Sequence, residues 1–441
     1  GGVVSGSGPG AVGRPPVGDP APEQGGEERP IALREGAGVR AGEPRTLVLR
    51  ALGLGDLLTA VPALRALRRA QPENELVLAA PAWLASAARA AQVADVLLPA
   101  GGSAREVPAA LAWPWPPPRL AVDLHGNGTP SRDALAASAP ARLLAYAEHS
   151  APAWRENEHE RLRWCRLLRW YGIPADPDDL LLGRPEVPSP APGAVLVHPG
   201  ADAGARRWPA ARFARVAREL RARGDEVVIT HGPGELALAH EVAARAGLPA
   251  RAVPGGASGL PFELLAALVA QARAVVVGDT GVAHLATALA APSVVLFGPV
   301  SPALWGPPPH PRHRALWRPW PGEGARPGDP HGTSPDPRLL RLHPADVLHA
   351  CARLEDPGPG LPGDEAPHGT DSREPGADAT GGKATGTNAR GGKATNGNGS
   401  GAHGAGAGGG VGTGAVTACG AAEGTVPATA APPAGGEGGA P

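Results

Sequence analysis

Short apolar runs alternate with amphipathic segments over the first half of the chain. The runs have the length of strands and lie at 46–50, 75–80, 95–98, 120–124 and 142–146. Between the first two runs, apolar residues from Leu57 to Leu67 recur at helical spacing, and a second helix is predicted near 83–91. Continuous apolar runs separated by helices are typical of a parallel sheet that is covered on both faces.

The same alternation returns, more regularly, in the second half. Its predicted strands lie at 194–197, 226–230, 275–277 and 293–297, and its predicted helices at 209–223, 235–246, 262–272, 282–289 and 344–354. In the first of these helices Phe213, Val216 and Leu220 share one face, and Gly224 follows at the expected helix end. We therefore predict an α/β protein with two Rossmann-like, doubly wound domains that face a central cleft.

The predicted domain boundaries follow from where this alternation starts and stops. An N-terminal domain with a connection occupies 45–190, including a helix near 158–171, and a C-terminal domain occupies 191–354. The segments 1–44 and 355–441 are rich in Gly and Pro, and the second repeats the sequence GGKAT, so we expect a disordered arm and a disordered tail. Because ligands of parallel sheets bind beyond the carboxyl ends of the strands, the expected site lies in the cleft.

Composition narrows the functional classes. The 441 residues include 64 Gly and 54 Pro, and the net charge of −1 favours neither nucleic acid nor an anionic membrane. The three cysteines, Cys165, Cys351 and Cys419, are too far apart for a disulfide framework or a zinc knuckle, which fits a reducing compartment. No apolar run is long enough for a transmembrane helix, and no signal-peptide pattern precedes the first strand. We expect a cytoplasmic protein.

The first candidate motif, Gly53-Leu54-Gly55-Asp56, follows a predicted strand and opens a helix. Glycine permits a tight turn and a close backbone approach, and an aspartate at or next to the N-cap is stabilised as the anion. An ordinary N-cap explains Asp56 equally well. The motif is not the dinucleotide fingerprint, because Leu58 occupies the position of the third glycine.

A second motif, Asp123 to Gly128 with the sequence DLHGNG, forms a predicted sharp loop at the edge of the cleft. His125 and Asn127 are candidates for contacts to a substrate hydroxyl. A turn with a solvated histidine is the alternative explanation, and the residues alone leave both open.

A third and a fourth motif follow strands of the second half. His198 begins HPGA, and Arg206 and Arg207 precede a predicted helix, where arginine donors and free backbone N–H groups suit a diphosphate. A solvated basic pair is the alternative. Glu235, after the sequence THGPG, either accepts hydrogen bonds from two ribose hydroxyls or is an ordinary first-turn acid.

The most specific motif is VGDTGVAHL at 277–285. A buried strand ends in Asp279, Thr280 and Gly281, and a helix begins there, which predicts an anion site. His284 lies about one turn further along, on the face toward the loop. A core helix with a stray histidine does not explain four polar or glycine positions at a strand end.

These pieces together resemble glycosyltransferase family 9, the ADP-heptose:lipopolysaccharide heptosyltransferase family. The resemblance covers roughly residues 46–310. It is carried by LRALGLGDLLTAVPALRALRR at 49–69, DLHGNG at 123–128, HPGA at 198–201, RRWP at 206–209 and GDTGVAHLATALAAPSVVLFGP at 278–299.

The resemblance implies a GT-B fold with an acceptor domain first and a nucleotide-sugar domain second. It implies inverting transfer from ADP-heptose to a saccharide or lipid-linked acceptor, as in lipopolysaccharide core synthesis, with no cofactor and no required metal. Asp56 then corresponds to the general base, with Gly55, His125 and Asn127 on the acceptor side. The implied donor site comprises His198, Arg206, Arg207, Glu235, Asp279, Thr280, Gly281 and His284. Arg206 departs from the family, which has lysine there, and this conserves charge but not geometry.

Two alternatives remain at this stage. The same fold can use another nucleotide-sugar or a small-molecule acceptor, and the long tails leave the acceptor open. A lipid acceptor would allow peripheral membrane contact, but no amphipathic basic helix indicates it. A non-catalytic nucleotide-sugar-binding protein is the second alternative, although the presence of Asp56, Asp279 and His284 together argues against it. No DxD-type metal site occurs in the cleft loops, and Asp176, Asp178 and Asp179 are typical of a turn.

Overall fold

The computed structural model describes residues 29–38, 42–101, 107–147 and 151–354. Most of the predicted arm and all of the predicted tail, 355–441, lie outside the described residues. None of the helices within the described ranges combines the length and the apolar character that crossing a membrane requires.

The first sheet has six strands in the order β1-β4-β3-β2-β5-β6. They are β1 Ile31–Ala32, β2 Arg45–Leu49, β3 Glu75–Ala80, β4 Val96–Pro99, β5 Leu120–Asp123 and β6 Leu143–Leu144. Strands β2 to β6 are parallel, as predicted. The last is shorter than the predicted 142–146, because Tyr146 leaves the sheet and donates its hydroxyl proton to the Arg163 carbonyl oxygen at 2.6 Å.

Strand β1 is an addition to the prediction, since it lies inside the expected disordered arm 1–44. It pairs antiparallel with β4, and Leu33, which follows it, is buried and donates its N–H to the Asp95 carbonyl oxygen at 2.8 Å. The buried Leu33 side chain seals the edge of the sheet. The Gly- and Pro-rich composition of the surrounding arm concealed this short apolar segment.

Four helices accompany the first sheet: α1 Leu54–Ala70, α2 Ala85–Ala91, α3 Thr129–Ala136 and α4 Glu160–Trp170. Helix α3 was not predicted; it starts directly after the DLHGNG loop, with a proline in its first turn. Near the end of the connection, Asp179 donates its N–H to the Asp176 carbonyl oxygen at 3.2 Å, which confirms the predicted turn.

The second sheet has five parallel strands in the order β11-β10-β9-β7-β8. They are β7 Val195–His198, β8 Val227–Ile229, β9 Ala274–Gly278, β10 Ser293–Leu296 and β11 His313–Leu316. Its helices are α5 Ala210–Ala222, α6 Leu236–Ala246, α7 Phe262–Ala270, α8 Gly281–Ala288, α9 Pro302–Trp305, α10 Pro337–Leu340 and α11 Pro344–Ala352. Strand β11 escaped prediction because it is an edge strand with the mixed sequence HRAL.

Helices α1 and α8 join the two halves. Each begins directly after a central strand, α1 after β2 and α8 after β9. Their apolar side chains, among them Leu57, Leu64 and Leu285, belong to one continuous core cluster that includes residues of both halves. The carboxyl ends of the two sheets are therefore brought to one place, where the N-termini of α1 and α8 meet.

Candidate active site

Asp56 lies in the first turn of α1. The N-cap is Gly53, so Asp56 is the third residue of the helix rather than its cap. Its Oδ2 accepts a hydrogen bond from the Gly53 N–H at 3.1 Å, and the residue is 4% exposed. The helix turn itself therefore holds the carboxylate, at the positive end of the helix dipole.

Arg50 is the fully buried partner of this turn, and the sequence reasoning missed it. Its Nε donates to the Asp56 carbonyl oxygen at 3.0 Å, and its Nη1 donates to the Leu124 carbonyl oxygen. Its Nη2 lies 3.5 Å from Asp56 Oδ1 and 3.0 Å from Glu160 Oε1. The sequence contained a signal for this, because the charge of an arginine that directly follows an apolar strand needs a partner if the side chain is buried.

Glu160, the first residue of α4, completes the buried charge network. It accepts hydrogen bonds from Arg50, from Trp164 Nε1 at 3.0 Å and from Arg163 Nη1. Two guanidinium groups and two carboxylates are thus brought together, with the Trp164 ring 4.9 Å from the Arg50 guanidinium carbon. Buried charges are tolerated only when paired in this way.

His284 is the fourth residue of α8, one turn in, as predicted. Its ring lies against the backbone of Gly55 on one side, where a Cβ atom at position 55 would come within 2.6 Å of His284 Cδ2. The Trp305 ring lies edge-on to it, at 5.8 Å between centroids. Burial lowers the pKa of His284 to about 4, against the opposing effect of Asp56, so the imidazole is neutral near pH 7.

The loop before α8 carries two further predicted donor-site residues, Asp279 and Thr280. Asp279 is buried and its carbonyl oxygen accepts a hydrogen bond from Arg206 Nη1 at 2.9 Å. Thr280 is the N-cap of α8 and accepts from the Val282 N–H at 3.3 Å. The Nε of Arg206 is buried and has no hydrogen-bond partner among the described residues. Arg206 thus ties its own loop to the start of α8, beside His284.

The two neighbouring arginines have different environments. Arg206 ends a short 3-10 turn and is largely buried, with its Nη2 3.7 Å from Asp202 Oδ2. Arg207 is exposed, and its Nε donates to the Ala201 carbonyl oxygen at 2.7 Å. The sequence suggested that both arginines face one ligand, whereas only Arg206 contacts the loop before α8.

Glu235 lies between the HPGA and THGPG loops of the second half. Its Oε2 accepts from the Gly232 N–H at 2.8 Å, and its carboxylate occupies the space that a side chain at Gly200 would need. His198 Nε2 lies 3.8 Å from Glu235 Oε2, and His198 Nδ1 hydrogen-bonds Thr230 Oγ1 at 3.1 Å. Burial lowers the pKa of His198, although Glu235 opposes this. The HPGA and THGPG loops therefore meet around the Glu235 carboxylate.

The DLHGNG loop is held by Asp123. Its carboxylate is buried and accepts from the His125 N–H at 2.9 Å and from Ser131 Oγ at 2.6 Å. The pKa of His125 is lowered to about 4. Burial is the main cause; the charge of Arg50 also lowers the pKa, and the charge of Asp56 opposes the shift. Its Nδ1 is buried without a partner in the described part of the chain. Asn127 is exposed, and its backbone carbonyl oxygen accepts a hydrogen bond from Arg132 Nη1 at 2.9 Å.

His159 was also missed by the sequence reasoning. It caps α4, and its Nδ1 accepts from the Arg161 N–H at 3.2 Å. Its Nε2 is therefore the protonated nitrogen and donates to the Gly306 carbonyl oxygen at 2.8 Å. The sequence offered no signal for this contact, because 147 positions separate the two residues.

Part of the chain resembles known proteins in sequence. Residues 184–321 match glycosyltransferase family 9 (heptosyltransferase). Lipopolysaccharide heptosyltransferase 1 of Pseudomonas aeruginosa is 35% identical over 161 residues, which cover 35% of this chain and 43% of the relative. Lipopolysaccharide heptosyltransferase 3 of Escherichia coli is 35% identical over 115 residues, 26% of this chain and 33% of the relative. The chain thus spans less than half the length of the curated relatives it matches.

Solved structures extend the likeness in fold to most of the described chain. The E. coli ADP-heptose heptosyltransferase II structure has a TM-score of 0.55 at 21% identity, and covers 70% of this chain and 98% of its own. The structure of E. coli heptosyltransferase WaaC with ADP has a TM-score of 0.53 at 17% identity, and covers 70% and 100%. These values confirm the predicted two-sheet GT-B architecture.

Proposed function

We propose that the chain is an inverting glycosyltransferase, because its residues 184–321 match glycosyltransferase family 9. Its donor is an ADP-activated heptose, and its acceptor is a saccharide or a lipid-linked sugar, as for the lipopolysaccharide heptosyltransferases it resembles. One observation carries the proposal: the Asp56 turn of the first half lies against His284 of the second half, so that a Cβ atom at position 55 would come within 2.6 Å of His284 Cδ2. A transfer between two substrates needs such a junction.

Asp56 is the general base of the proposed reaction. The acceptor hydroxyl loses its proton to Asp56, its oxygen forms a bond to the anomeric carbon, and the bond from that carbon to the diphosphate breaks with its electron pair on ADP. An aspartate carboxylate is a weak base towards a hydroxyl group near neutral pH. Proton transfer therefore occurs late, after the forming bond has acidified the acceptor oxygen.

The second half binds the donor. Arg206 and the backbone N–H groups at the start of α8 stabilise the negative charge that develops on the departing diphosphate. Glu235 accepts hydrogen bonds from the ribose hydroxyls, next to His198. The neutral imidazole of His284 contacts the sugar, where a cation would compete with the positive charge developing at the anomeric carbon.

The first half binds the acceptor. The unpartnered Nδ1 of His125 is available for a hydrogen bond to an acceptor hydroxyl close to Asp56, since the charges of Arg50 and Asp56 both act on this ring. Asn127 is exposed at the rim of the same loop and contacts a more distant part of the acceptor.

Titration calorimetry of the full chain with ADP, UDP and GDP, followed by ADP-heptose, tests the proposal. We expect selective binding of ADP that the heptose tightens. Selective binding of UDP or GDP would replace the donor and keep the site. Absence of binding to all four would contradict the proposed donor site.

A further inference from the structure

Two glycines face each other where the halves meet. Gly55 is the second residue of α1, and Gly281 is the first residue of α8. Neither has a positive φ, so neither is required for a left-handed backbone conformation. Glycine inside a helix otherwise costs stability, so these positions need a different reason.

The reason is space. A Cβ atom at position 55 would lie 2.6 Å from His284 Cδ2, and real Cβ contacts below 3.0 Å essentially never occur. A Cβ atom at position 281 would lie 3.0 Å from Leu54 Cβ and 3.3 Å from the Gly55 nitrogen. The start of each helix therefore packs against the start of the other, and the imidazole ring packs against position 55.

Trp305 limits how far the ring can move, because it stands edge-on to the imidazole at 5.8 Å between centroids. A side chain at position 55 would therefore either displace the imidazole from its position or push the first turn of α1 away. That turn carries Asp56, the next residue along the chain.

We propose that Gly55 is a positioning residue, and that its contact with His284 fixes the donor-binding imidazole relative to the base. This inference rests on the proposed function for the roles of Asp56 and His284. It moves Gly55 from the acceptor side, where the sequence suggested it, to the boundary between the two substrates. Only a residue without a side chain at position 55 leaves room for the imidazole of His284 while the first turn of α1 keeps Asp56 in its position.

A thermal unfolding cycle with Gly55→Ala, His284→Ala and the double variant tests the contact itself. In the wild-type background we expect Gly55→Ala to lower Tm by a few degrees, because the methyl group meets the imidazole. In the His284→Ala background the methyl group fits, and the higher helix propensity of alanine raises Tm. Gly183→Ala is the matched control, since its Cβ would meet no atom within 4 Å.

Equal Tm changes in both backgrounds would overturn the proposal. If Gly55→Ala alone does not fold, a folded double variant supports the contact, and a double variant that also fails to fold contradicts it. These outcomes need no substrate.

The affinity for ADP-heptose, measured by titration calorimetry, tests the positioning role. We expect Gly55→Ala to weaken binding roughly tenfold when His284 is present and less than about twofold in the His284→Ala background. Equal losses in both backgrounds would contradict positioning through His284. If the wild-type chain does not bind ADP-heptose, the proposed donor is wrong, while the thermal cycle still decides whether the contact exists.

Discussion

The starts of α1 and α8 lie in contact, but they are stabilised in different ways. At the start of α1, the guanidinium group of Arg50 pairs with the carboxylates of both Asp56 and Glu160, so buried charges are compensated by opposite charges. Around the second, Arg206 donates to a backbone carbonyl oxygen and the imidazole of His284 is neutral. In the proposed reaction, the first arrangement stabilises the carboxylate of the base, and the second shapes a surface for a donor that brings its own charge.

This difference indicates where each half is sensitive. Removing one member of a buried ion network lowers the free energy of unfolding strongly, because the remaining charges have lost a partner and are still shielded from water. Hydrogen bonds around a ligand pocket can be weakened singly, since water replaces the missing partner once the pocket is open. Substitutions in the first half should therefore affect catalysis and stability, and substitutions in the second half should affect donor affinity.

The largest expected effect is that of Asp56→Asn on sugar transfer. The amide keeps the shape of the side chain but cannot accept the proton, so the rate should fall roughly 10²- to 10⁴-fold, the range for loss of a general base. ADP affinity should stay within about twofold of the wild-type value. The measurement is ADP release from ADP-heptose beside calorimetric titration with ADP. A loss of ADP binding equal to the loss of rate would remove the base assignment.

The next effect is that of Arg50→Met on the free energy of unfolding. The variant leaves the carboxylates of Asp56 and Glu160 buried without their shared cation, and we expect a loss of about 3–5 kcal/mol. Urea unfolding measures it. Arg34→Met is the matched control, because Arg34 is 61% exposed in its pair with Asp95, and pairs of this kind contribute under about 1 kcal/mol. Similar losses in the two variants would show that the network is not the main support of the turn.

Part of this comparison was predictable from the sequence. Apolar runs and glycine-containing turns placed both helix starts, since each depends on neighbouring residues only. The partnership of Arg50 with Glu160 spans 110 positions and depends on how α4 packs against α1, which no local pattern encodes. The different environments of Arg206 and Arg207 follow from a single 3-10 turn. The edge strand β1 is only two residues long and β11 has the mixed sequence HRAL, so neither has the long apolar run of the central strands.

The smallest of these effects concerns the second half, where Glu235→Gln should weaken ADP binding. Glutamine retains the oxygen that accepts the Gly232 N–H but removes the charge offered to the ribose hydroxyls. Hydrogen bonds to a charged group contribute about 1.5–3 kcal/mol, so we expect at least a roughly tenfold loss of ADP affinity. Glu241→Gln is the control, since Glu241 lies on the same helix in an exposed pair with Arg245. Unfolding free energies should stay close to the wild-type value in both variants. A large stability loss in Glu235→Gln with ADP affinity retained would mean that this carboxylate supports the fold, and the contrast between the two halves would then disappear.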